Sequence, residues 1–63
     1  MNALQKLRQK YLDDGCPNFV DVIDQAIAVT DGEYNDVVLA AYHIGPDFAN
    51  ELNACVIELI AND

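Results

Sequence analysis

Between Pro46 and Ile60 the apolar residues keep a helical rhythm. Phe48, Leu52, Cys55, Val56 and Leu59 stand at i, i+4, i+7, i+8 and i+11, which at about 100° per residue is one side of a helix. Gly45 and Pro46 stop whatever precedes, and Asp47 is placed to cap the free N–H groups and to suit the positive end of the helix dipole. The pattern predicts a last helix from Asp47 to about Ala61.

Three weaker patterns precede it. Leu4, Leu7 and Tyr11 mark an amphipathic helix over Asn2 to Leu12, ended by Asp13-Asp14-Gly15, with Cys16-Pro17 blocking continuation. Asn18 is placed to cap a second helix with Phe19, Val22, Ile23, Ala26 and Ile27 inward and Asp21, Asp24 and Gln25 outward, ending near Val29. Thr30 and Glu33 have the spacing of a capping box and announce a third helix, with Tyr34, Val37, Val38, Ala41 and Tyr42 on one face.

The rival reading pairs Ala26–Thr30 with Val37–Ala41 as a hairpin, which the β-branched residues and Asp31-Gly32 permit. Strict alternation is missing and alanines are poor strand formers, so the helical reading is preferred. The expected fold is one all-α domain over residues 1–63, with four short helices around Phe19, Ile23, Ile27, Val38, Tyr42, Leu52, Val56 and Leu59.

Charge changes this picture most. The chain carries −8, with Lys6, Arg8 and Lys10 as its only Lys or Arg and eleven acids in all. From Tyr11 onward it is an uncompensated anion, which repels nucleic acid and anionic lipid and is steered toward basic surfaces. The three bases fall mainly off the apolar face of the first helix, and solvation is the default expectation for them. The longest apolar run, Val37 to Tyr42, is far short of the ~20 residues a membrane span needs. With no signal-peptide pattern at the N-terminus, the expected location is cytoplasmic. Cys16 and Cys55 lack CxxC spacing and read as buried thiols rather than a bridge.

Catalytic chemistry finds little to use. There is no Ser, so a serine triad and the phosphopantetheine arm of an acidic carrier protein are both excluded. A Cys–His pair would rest on Cys16 or Cys55 reaching His43, but Cys55 lies on a buried face where a thiol is inert, and His43 falls on the polar side of its helix near Asp36, where a surface role is expected. Cys16, His43 and Cys55 lack the paired spacing of a zinc site. Asp31 to Asp36 suggests a calcium loop, but Gly is missing at the sixth loop position and Tyr42 stands where the bidentate Glu belongs. No enzyme activity, metal or cofactor is implied.

The acids themselves remain. Asp47, Glu51 and Glu58 fall within about 40° of one another on the last helix, away from its apolar centre. Acids at i and i+4 are about 6 Å apart along the axis, comparable with the ~3.4 Å spacing of phosphates along a DNA strand. Asp21, Asp24, Asp31, Glu33, Asp36, Asp47, Glu51 and Glu58 are therefore the candidate partner-binding residues, offering carboxylates to Arg and Lys side chains that grip phosphate.

In size, acidity and lack of catalytic groups the chain resembles small phage-encoded inhibitors of the anti-CRISPR and DNA-mimic type. The resemblance rests on composition, through Asp13-Asp14 and the eight acids just named, and on no motif. It implies stoichiometric blocking of a basic, nucleic-acid-binding surface on a partner protein, without direct nucleic-acid binding, in the host cytosol if phage-encoded. The competing class is an adaptor or regulator that docks through apolar contacts, with a homodimer as one form. Ile57, about 140° from the buried centre of its helix, and Leu39 would be its anchors if exposed.

Overall fold

The computed structural model describes residues 2–61. They form four helices, α1 (Ala3–Asp13), α2 (Pro17–Ala28), α3 (Asn35–Ile44) and α4 (Pro46–Ala61), with no strand among the described residues. The hairpin alternative is thereby excluded. Each helix packs on its sequence neighbours and α1 also packs on α4, so the four close into a ring with a weak α2–α4 contact across it.

Local chemistry fixes most boundaries. Asn2 Oδ1 accepts from the Gln5 N–H at 2.9 Å while Gln5 Oε1 accepts from the Asn2 N–H at 3.0 Å, a reciprocal capping box that starts α1. At its other end Gly15, with φ of 73°, donates to Leu12 O, and Cys16 N–H reaches back to Tyr11 O at 3.0 Å. This paired return needs a left-handed residue, which Gly supplies without a Cβ clash.

Three sequence expectations about caps are corrected. Asn18 does not cap α2: Pro17 occupies the first helical position, where its fixed φ suits the helix, so the cap falls two residues earlier, on Cys16. Asp47 lies inside the first turn of α4 because Pro46 again opens the helix, and Gly45 O takes the Ala49 N–H. The Thr30–Glu33 box does not form. Asp31 Oδ1 accepts the Glu33 N–H at 3.0 Å, Gly32 turns left-handed at φ 81°, and α3 begins only at Asn35 with no side-chain cap. An Asx turn has outcompeted the box for the same N–H groups.

The core is built from all four helices. Leu4, Ile23 and Leu52 are fully enclosed, with Leu7, Tyr11, Val20, Val22, Val37, Phe48 and Val56 around them. Tyr11 meets Phe19 and Phe48 edge-on at 4.9 and 5.2 Å, and Phe19 stacks on Phe48 at 4.4 Å, tying α1, α2 and α4 together. Ala26, Ala41 and Ala49, almost without exposure, let backbones approach.

Ile23, Leu52 and Val56 take their expected core places, and Phe19, Val38 and Leu59 are partly buried. Ile27 and Tyr42 do not belong to the core, being 39% and 50% exposed. On α2, Ile27 shares the side of the helix that buries Val20 and Ile23, but it lies in the last turn, one residue before the helix ends at Ala28, so its place along the axis and not around it leaves it partly uncovered. On α3 the arc centres on Val37 and Ala41, which swings Tyr42 outward.

Candidate interaction surfaces

The eight candidate carboxylates occupy three separate places. Asp47, Glu51 and Glu58 form a row along α4; Asp21 and Asp24 lie on α2; Asp31, Glu33 and Asp36 surround the α2–α3 connection and the first turn of α3. All except Glu51 are exposed.

Two of them are already paired with groups of the same chain. Glu51 accepts from the Tyr11 hydroxyl at 2.6 Å and from Lys10 Nζ at 2.9 Å. Its carboxyl is held below the usual value, first by the Tyr11 hydroxyl and then by Lys10. Burial, and then the same carboxylate, push the Tyr11 phenol up to about 12. Asp24 accepts from Arg8 Nε at 2.6 Å, with both side chains well exposed. Arg8 and Lys10 are two residues apart, about 160° around α1 as the helix turns on the shorter side, so these pairs lie on opposite flanks of that helix.

Solvation was the expectation for the bases, yet two of the three are paired. The reason is tertiary: α1 sits between the acidic edges of α2 and α4. No sequence spacing carries a contact between residues 40 apart, so the Tyr11–Glu51 link had no local signal.

A different surface lies on α3 and α4. On α3, Asn35, Leu39 and Tyr42 fall within about 60° of one another, and on α4 Asn50, Asn53, Ile57 and Ile60 fall within about 80°. Tyr42 Oη lies 3.5 Å from Asn50 Oδ1, which brings the two strips together. Leu39 (59%), Ile57 (58%), Ile60 (57%) and Tyr42 are all at least half exposed. No carboxylate falls inside this face; Asp36 and His43 border it on α3 and Asp47 on α4. Leu39 and Ile57 are the two residues that the helix pattern sets off the apolar faces, and both are exposed rather than completing the core. Tyr42 and Ile60 were missed, although the change from acids to Asn50 and Asn53 on this side of α4 was a visible signal.

The remaining reactive groups are quiet. Cys16 and Cys55 are free and half-buried. Burial and then the neighbouring Glu58 and Glu51 push the Cys55 thiol up, away from a nucleophilic thiolate. Among the described residues no His, Cys, Asp and Glu cluster is arranged to hold a metal, no cleft opens in the surface, and no helix is long and apolar enough to cross a membrane. No protein-family model matches this chain, and no curated protein or solved structure is similar to it.

Proposed function

We propose that this protein is a non-catalytic inhibitor that binds stoichiometrically to a basic, nucleic-acid-binding surface of a partner protein, in the manner of anti-CRISPR and DNA-mimic proteins. The observation that carries the reading is the carboxylate row of α4, Asp47, Glu51 and Glu58, on a chain with no Lys or Arg after Lys10. A helix fixes the backbone positions of those charges, so a partner's Arg and Lys meet them with no backbone left to order. Because Glu51 already serves Lys10 and Tyr11, Asp47 and Glu58 are the free contacts of that row; Asp21, Asp31, Glu33 and Asp36 lie apart from it, on α2 and around the α2–α3 connection.

The test is competition. Purified nucleic-acid-binding effector complexes carrying labelled DNA are titrated with the protein, and DNA release saturating at a fixed ratio is expected. Release should weaken as salt rises. A variant with Asp47→Asn and Glu58→Gln should lose the effect while keeping its helicity. No release from any such complex, or release indifferent to those two substitutions, rejects the proposal.

A second reading is supported by the exposed Leu39, Tyr42, Ile57 and Ile60: an interaction module whose contact is apolar and whose acids serve solubility and selectivity.

A further inference from the structure

We infer that the α3–α4 face is a self-association surface, and that its occupant is a second copy of this chain. The inference deepens the second reading above and does not depend on the carboxylate proposal. Three observations point to a like partner.

First, the face is uncharged on a molecule carrying −8. A basic partner drawn to the acids finds no ion pair there, whereas a copy of the chain offers an equally uncharged strip. Second, a two-fold axis lays this strip on itself, so each Leu39, Tyr42, Ile57 and Ile60 meets apolar surface, while Asn50 and Asn53 carry amides able to both donate and accept across the axis. Glu51 and Glu58, about 120° or more around the helix from the centre of the strip, stay out of the contact, and Asp47 stands at its border. Third, the strip runs along two helices, of 10 and 16 residues, and carries four apolar side chains at least half exposed, interleaved with Asn35, Asn50 and Asn53; a standard interface takes about 800 Å² per partner, roughly a fifth of the 4111 Å² the molecule exposes.

The result is a 2 + 2 helix contact in which the acidic edges of both copies face outward. Tyr42, which the helix pattern placed in the core, then acts as an interface aromatic.

Sedimentation equilibrium of the intact chain tests this directly, with Leu39→Glu and Ile57→Glu as the breaking variants and Ile27→Glu and Leu12→Glu as exposed apolar controls on α2 and α1. The expected result is a wild-type dimer whose dissociation constant rises on the order of 30-fold or more in each breaking variant and stays unchanged in the controls. Circular dichroism of all four variants should match wild type, since each site is exposed. If a breaking variant loses helicity, Leu39→Asn and Ile57→Asn replace the pair and must show the same weakening. A wild-type monomer at high micromolar concentration overturns the inference, as does a dimer broken by the control substitutions and not by the α3–α4 ones. Asp47→Asn with Glu58→Gln leaves the dimer intact, which separates this inference from the carboxylate proposal.

Discussion

The two sides of α4 teach different lessons about how a short chain spends its residues. Toward α1, the helix presents Glu51 to Lys10 and Tyr11, so charge there is engaged within the fold. Toward α3, the outer strip of Asn50, Asn53, Ile57 and Ile60 carries no charge and reaches Tyr42 through Asn50. The first edge closes the ring of helices; the second is left open. A 63-residue chain has too little interior to bury all its apolar residues, and the four most exposed large ones, Leu39, Tyr42, Ile57 and Ile60, lie on or beside the part of α4 that lacks carboxylates.

The sharpest way to break the comparison is to remove what both edges stand on. Leu52→Ala should cost about 3 kcal/mol, because Leu52 is fully enclosed and neighbouring helices can only partly fill the gap. Urea denaturation should show most of the protein's stability gone and both edges lost together.

High pH separates the edges next. The Tyr11 phenol ionises in the folded protein only at about 12, against 10.0 for an ordinary tyrosine. Its contribution is therefore fully present below about pH 10 and lost as pH rises toward 12, a fall on the order of 2 kcal/mol. Tyr11→Phe should flatten that portion of the stability curve, measured by denaturant midpoint against pH.

Glu51 works in the opposite direction and by less. Its carboxyl ionises below the ordinary 4.5, so its bonds contribute above that pH and are lost as pH falls through the folded value. Glu51→Gln should cost about 1 kcal/mol at neutral pH, seen as a melting point lower by roughly 4–8 °C, and should reduce the acid slope.

Smallest are the exposed sites. Arg8→Ala should change stability by less than about 0.5 kcal/mol, since the Arg8–Asp24 pair is well hydrated. Ile57→Asn should do as little to the unfolding of the monomer while weakening self-association. A large loss of monomer stability from Ile57→Asn would mean that the strip is part of the core.

Much of the fold was legible because its signals are local. The i, i+4 spacing of Phe48, Leu52 and Val56 and the Gly15 stop need no knowledge of neighbours. The failures arise where two local devices compete or where a third helix decides. Thr30 and Asp31 both offer oxygens to the same turn, and Asp31 with Gly32 prevailed. Tyr42 lies at the edge of an apolar arc, where the helices packed alongside decide what is covered, and Ile27 lies in the last turn of α2, where coverage depends on how far the neighbours reach along the axis. The acids were legible one by one, but their separation onto opposite flanks of α1 was not, because it depends on the ring order of the helices.

The most direct single measurement is the salt dependence of the wild-type association equilibrium. Two copies of a −8 chain repel, and an uncharged contact gains nothing from ions, so raising salt from low to moderate should screen the repulsion and increase the dimer fraction. A dimer that dissociates as salt rises, or a chain that stays monomeric throughout, would contradict the assignment of the uncharged α3–α4 strip as the contact face.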